Sequence, residues 1–397
     1  HALQAHALSG TIKIFGEPAE KVCGSKPVHA AKGYYEGFDA FLHYHPAWSP
    51  MGNTLAGETI SGSYWSAVFS FESHEPERWV SQDLMTIPEN PHAASRSPGA
   101  LDAVCLMYTT TKYTKEAMFP RTGLWSLNEF MMVGGQATSD NLPPGLGQIQ
   151  YSWRSPDLRI QEQIFRVLHN NAQHVAGITN CSLRVRWVSK VRPGVPNLRL
   201  TELVYRNLER IGAPKFSEEA KEIAREFQRS CGIDPMPEPL HETCEQVIPV
   251  QVTEANTRKA LPAWQTHFSS DDAMEYTWYA PTTKLMTSRP YLRLPEEGFA
   301  YPAWVFNATG GIPSLIDPSI MVAGKVLGMS FVELLVDSEA LAACQQEFRD
   351  RTAGGVGGEK WVPPLLSEDF VAPIDLRWPE YVRTRRGEDW WIPKESE

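Results

Sequence analysis

"SGSYWSAVFSFES", residues 61–73, alternates small polar residues with aromatic or aliphatic ones. Period two is the spacing of a β-strand with two unlike faces, so the stretch predicts a half-exposed strand. Downstream, "SPGALDAVCLMYTTTKY" (97–113) reads as a helix, with Ser97 as its cap and Pro98 at its first position. Two strand-like runs follow at 124–135 and 146–155. Residues 157–179 space Leu158, Ile160, Ile164, Phe165 and Leu168 as one helical face, and "CSLRVRWVSK" (181–190) alternates again. Strand, helix, two strands, helix and strand make an α+β sandwich of ferredoxin-like type over 55–190.

On either side the pattern changes. Residues 10–16 and 38–45 are short β-type runs separated by a Gly- and Lys-containing connection, the rhythm of an α/β sheet. Beyond 190 a helical, acidic stretch leads back to strand–helix alternation. The expected fold class is therefore α/β, with a first, partial segment over 1–54 and a second over 191–350, interrupted by the α+β unit. Residues 351–397, rich in Pro and Trp, are expected to wrap the surface. "HALQAHALSG" (1–10) resembles the tail of a helix, so the chain is expected to begin partway into a larger fold.

Bulk chemistry narrows the function. The 397 residues carry a formal net charge of −10, which disfavours nucleic acid or an anionic membrane surface as partner. Cys23, Cys105, Cys181, Cys231, Cys244 and Cys344 lie far apart and read as free thiols of a reducing, cytoplasmic setting. The longest apolar run, 319–336, contains Lys325 and Glu333 and reads as a mostly buried helix.

Several residues invite chemistry. "GEPAEKVCGSK" (16–26) sets Glu20 at the end of an apolar run, where a carboxylate can act as general base, although a solvated loop glutamate is commoner. His43 and His45 of "HYH" share a strand face and could chelate one metal; a strand end with one buried histidine is the blander reading. His92 could donate to an oxyanion or merely cap local backbone. Asn141 offers an amide, and Arg154 a fork for a substrate carboxylate; a turn and a surface ion pair are the ordinary alternatives. There is no GxSxG elbow, and the glycine-rich 354–360 lacks the ending of a phosphate loop.

In order, these segments resemble the metal-dependent amidohydrolases and dipeptidases of peptidase family M-20, in the branch of the aminobenzoyl-glutamate hydrolases. "SGTIKIFGEPAEK" is similar to the family's Gly-x-Pro-Ala-Glu-Glu segment, and "GYYEGFDAFLHYHPA" to its strand ending in His-Pro. "PHAASRSPGALDAVCLM", "SSDDAMEYTWYAPT" and "ATGGIPSLIDPSIMVAGKVL" match three later motifs. The resemblance implies a zinc-peptidase-like α/β domain with an inserted lid through which the protein forms a homodimer. It implies hydrolysis of peptide-like C–N bonds in an N-acyl amino acid or dipeptide-like ligand, with zinc or another divalent metal.

Carried over by position, Glu20 matches the general base, His45 a metal ligand, His92 the lid histidine, and Asn141 and Arg154 the carboxylate grip. Lys21 stands where a second, metal-binding acid is expected. Asp317 stands at the family's late histidine, and Pro302 at another. The metal shell is therefore expected to be damaged, with Lys21 ion-paired to Glu20 or Asp317. The alternative is a metal-free relative that keeps the cleft as a carboxylate-binding or regulatory module.

Overall fold

A computed structural model describes residues 2–47, 52–73, 98–121, 123–134, 144–376, 380–385 and 387–391. The chain opens with helices α1 (Ala2–Ala5) and α2 (Ser25–Ala31), then strands β1 (Phe41–Ala47) and β2 (Thr54–Leu55). Residues 10–16, expected as a short β-type run, join no ladder, and Ile14 is 91% exposed. Their β-branched residues favour extension, but extension becomes a strand only where a neighbour supplies hydrogen bonds. Phe15 instead packs edge-on against Tyr35 and Phe38.

β3 (Ile60–Ser73), α3 (Ala100–Met118), β4 (Ser126–Val133), β5 (Leu146–Ser155), α4 (Leu158–Thr179) and β6 (Cys181–Lys190) follow. They form an antiparallel sheet of order β4-β5-β3-β6. In this βαββαβ sequence that order is ferredoxin-like. Trp65, Ala67, Phe69 and Phe71 face the two helices and pack with Ile149, Tyr151 and Trp153 of β5 and Ile160, Ile164 and Leu168 of α4. Gly147 is required for the close approach of α3, because a Cβ there would lie 2.5 Å from the Ala100 carbonyl oxygen.

β3 is not half-exposed. Its serine face is also buried, because β3 is a central strand and neighbouring glutamines satisfy the hydroxyls. The amide of Gln150 donates to Ser66 Oγ at 2.7 Å and that of Gln148 to Ser70 Oγ at 2.9 Å. Val68 on that face packs with Met132, Val188 and Leu376, the last from the tail. The expected cap Ser97 lies outside the described residues; α3 begins after Gly99, whose N–H donates to Asp102.

The second α/β segment contains α5 (Leu198–Ile211), α6 (Glu218–Ser230), α7 (Val250–Lys259), β7 (His267–Ser270), a 3-10 turn (Asp272–Trp278) and β8 (Thr282–Ser288). It closes with α8 (Ala303–Thr309), α9 (Pro313–Val336) and α10 (Ser338–Thr352). β8 pairs in parallel with β1 and antiparallel with β2, while β7 pairs with the start of β3. α9 is less buried than its apolar sequence suggests, with Ile320, Met321, Val332 and Val336 exposed. It is long and apolar enough to cross a membrane by length and composition. The tail is pinned as well as draped, since Trp361 donates to the Trp278 carbonyl and Leu376 is buried.

Candidate active site

The loop carrying Glu20 is held by its neighbour Glu17. That carboxylate accepts from Tyr35 Oη at 2.6 Å, Ser25 Oγ at 3.0 Å and Tyr276 Oη at 3.1 Å, and faces His29 Nδ1 at 2.9 Å. Ala19 and Cys23 bracket the short 3-10 turn Glu20–Val22 in left-handed conformations, φ 59° and 50°. Non-glycine residues tolerate that backbone only where the surroundings enforce it. Glu17→Ala strips the loop's anchor and removes the carboxylate that accepts from the hydroxyls of Tyr35 and Tyr276. The expected loss is roughly 2–3 kcal/mol of unfolding free energy, measured by urea denaturation; a loss within error would show that the loop holds itself.

Glu20 opens onto a cavity of about 730 Å³, lined also by Lys21, His45, Arg154, Asp271 and Lys284. The register of β1 with β8, His43 opposite Lys284 and His45 opposite Met286, sets these side chains on one sheet face. β5 supplies Arg154 from the βαββαβ unit, its guanidinium 5.1 Å from the Tyr64 ring centroid. The cavity therefore draws on both parts of the fold.

The electrostatics are set by two buried aspartates and two lysines. Lys26 Nζ donates to Glu20 at 2.7 Å and to Asp272 at 2.9 Å. Lys284 Nζ donates to Asp271 Oδ2 at 2.5 Å, with His43 Nε2 3.6 Å from the same oxygen. Asp271 Oδ1 accepts from the Ala273 N–H and caps the 3-10 turn. Burial favours the neutral form of Asp271, but Lys284 and His43 overcome it and hold its carboxyl well below the usual range. Asp272 goes the other way: burial, with Glu20 and Asp271 nearby, pushes it up to about 7 against the pull of Lys26. Burial opposes the charge on Lys26, yet Asp272 and Glu20 raise it above the ordinary lysine range.

Burial and the Lys284 cation lower the His45 pKa. The neutral ring directs its Nδ1 to the Pro46 carbonyl at 2.8 Å, so Nδ1–H donates and Nε2 keeps its lone pair. Cys23 also lines the cavity, but burial pushes its thiol far up, which keeps it protonated and unreactive.

Of the residues singled out by sequence, Glu20, His45 and Arg154 line one cavity. His92 and Asn141 lie outside the described residues. His43 lines a neighbouring cavity of about 600 Å³, with its ring centroid 6.5 Å from that of His45 and its Nε2 directed at Asp271. Asp317 is exposed on α9 and absent from the lining, because the helix register turns it away from the sheet. Lys21 is exposed at the cavity and does not pair with Glu20 or Asp317; Lys26, five residues on, takes Glu20. Sequence reading missed Glu17, Lys26, Asp271, Asp272 and Lys284. The adjacent acids in "SSDDAMEYTW" were the available signal, since paired aspartates opening an apolar stretch need buried counter-ions.

A metal shell does not assemble from these groups. Among the described residues no group of three or more His, Cys, Asp or Glu could hold a metal ion. Both oxygens of Asp271 are committed, Asp272 and Glu20 share an ammonium, and the free imidazole acceptor facing the cavity is His45 Nε2. Zinc needs several such donors in one shell.

No family model matches the chain. It is similar to one of the subunits of the p-aminobenzoyl-glutamate hydrolase of Escherichia coli (strain K12), 22% identical over 367 residues, covering 88% of this chain and 69% of that protein. Among solved structures, it resembles an aminobenzoyl-glutamate utilization protein from Klebsiella pneumoniae, with TM-score 0.47 and 13% identity over 83% of this chain and 64% of that one. A putative aminohydrolase from methicillin-resistant Staphylococcus aureus gives TM-score 0.39 at 12% identity, over 79% and 65%. An amidase of the hydantoinase/carbamoylase family from Burkholderia vietnamiensis gives 0.36 at 12%, over 77% and 55%. The chain thus spans 55–65% of the length of these solved proteins. The likeness to the aminobenzoyl-glutamate hydrolases read from the motifs stands in the comparison with the Escherichia coli subunit too.

Proposed function

We propose that the chain is an amidohydrolase-type protein whose cavity takes a small amide bearing a carboxylate, of the N-acyl amino acid or dipeptide-like class. The observation that carries this reading is the meeting of Glu20 and Arg154, from separate parts of the fold, on one cavity. Arg154 presents a guanidinium with no carboxylate partner among the described residues, suited to a bidentate grip on a ligand carboxylate. Glu20 gives one oxygen to Lys26, leaves the other facing the cavity, and keeps 60% of its side chain accessible. That oxygen can take a proton from water as the water oxygen bonds to the amide carbon, and pass it to the departing nitrogen as the C–N bond breaks.

Binding of p-aminobenzoyl-glutamate and N-acetyl-glutamate by calorimetry, with amine release followed separately, tests the reading. Arg154→Ala is expected to weaken binding about tenfold or more, the worth of a charge-assisted pair. Glu20→Gln is expected to leave binding intact and remove amine release. Equal affinity in wild type and Arg154→Ala would exclude the carboxylate grip.

The second reading, a binding or regulatory module without turnover, is favoured by the Lys26 bridge, which engages the candidate base. It predicts binding with no amine release, with or without added zinc. Assembly as a homodimer through the βαββαβ unit and a cytoplasmic setting, in keeping with six free thiols, complete the proposal; light scattering reads the first.

A further inference from the structure

Three of the acids that line the cavity, Glu20, Asp271 and Asp272, are held by two lysines. Lys26 is only 4% exposed and bridges Glu20 to Asp272, itself 1% exposed. Lys284 engages the Asp271 oxygen that the turn leaves over. A divalent ion and an ammonium cannot share these lone pairs: the ion needs the oxygens, and its charge repels the lysine beside it. Nor can either lysine swing away freely, since departure leaves a buried carboxylate without its partner.

We propose that Lys284, on the cavity lining, and Lys26, behind it on the carboxylates of Glu20 and Asp272, take the place a divalent ion would require, so that the protein holds its ligand without zinc. The inference rests on the cavity being the ligand site. It departs from the metal dependence that the motif resemblance implies, and it moves the decisive cation from Lys21 to two residues the motif does not contain.

Zinc is titrated into chelator-stripped protein against a chromophoric chelator, with melting temperature and circular dichroism as parallel readouts. Wild type is expected to take up well under one equivalent and to show no rise in Tm. The double variant Lys26→Met/Lys284→Met is expected to gain apparent zinc affinity by at least about tenfold, with a zinc-dependent rise in Tm. If the double variant does not fold, Lys26→Met and Lys284→Met are read singly. Stoichiometric zinc in the wild type overturns the inference. So does a folded variant that gains none, because the lysines then do not keep the ion out. Binding of p-aminobenzoyl-glutamate in EDTA and with added zinc separates the two readings: stoichiometric zinc uptake, or ligand binding that appears only with zinc, sinks the lysine inference alone, and absence of ligand binding under both conditions in a protein that excludes zinc sinks the functional one.

Discussion

Replacing Glu275 by alanine is expected to cost about 3–5 kcal/mol of unfolding free energy. Glu275 and Arg192 are 1% and 0% exposed and meet through Nε at 2.9 Å and Nη2 at 2.5 Å. Glu275 Oε1 also accepts the Arg192 backbone N–H at 2.8 Å. The guanidinium lies 5.3 Å from the Tyr279 ring centroid and 5.7 Å from that of Trp278, and its Nη1 donates to the Val362 carbonyl at 2.6 Å. Removing the carboxylate strands a buried cation among aromatic rings. The pair ties the segment leaving β6 to the 3-10 turn bearing Asp272 and to the tail, so its loss should loosen the cavity wall as well. Arg192→Lys should recover little, because an ammonium cannot reproduce the fork or reach the carbonyl together with the carboxylate. Urea denaturation reads the effect. A loss below about 1 kcal/mol, the scale of an exposed ion pair, would mean the charges are not desolvated in solution.

Periodicity carried the elements whose partners lie close along the chain. β3, β5 and β6 alternate, α4 shows one apolar stripe from Ile160 to Leu168, and their ferredoxin-like arrangement follows from order alone. It failed where the deciding contact is remote. Residues 11–15 have strand propensity but no pairing neighbour, and the serines of β3 look solvent-facing until Gln148 and Gln150 arrive from another strand. The site divides in the same way. Glu20, His45 and Arg154, singled out by motif order, line one cavity. Asp317, singled out in the same way, is exposed and does not line that cavity, since a match in order says nothing of which way a helix is turned. Lys26 and Asp272 are 246 residues apart, and no local pattern joins them. Lys21 drew attention by adjacency to Glu20, but the left-handed turn at Ala19 and Cys23 leaves it exposed while α2 brings Lys26 beneath the carboxylate.

Asp272 should give the protein an unusual dependence on pH. Its folded value of about 7 lies far above the ordinary 3.8, with burial as the chief cause, Glu20 and Asp271 adding, and Lys26 opposing. Between those values the folded chain holds a proton that the unfolded chain has lost, so this group's stabilisation is fully present at low pH and is lost as pH rises through about 7. Asp271, held low by Lys284 and His43, acts in the opposite sense and only at acid pH, where its protonation breaks the pair. His45, whose pKa is lowered, also favours the fold as pH rises, so the absolute curve mixes signs near neutrality. The Asp272→Asn variant isolates the group, because its amide mimics the protonated acid and does not titrate. Relative to wild type, the variant should gain stability between pH 5 and pH 8, by roughly 2–4 kcal/mol at about 1.4 kcal/mol per tenfold. Chemical denaturation at four or five pH values reads the difference directly. Parallel curves for the two proteins would show that Asp272 is ionised throughout, held by Lys26 as a simple ion pair.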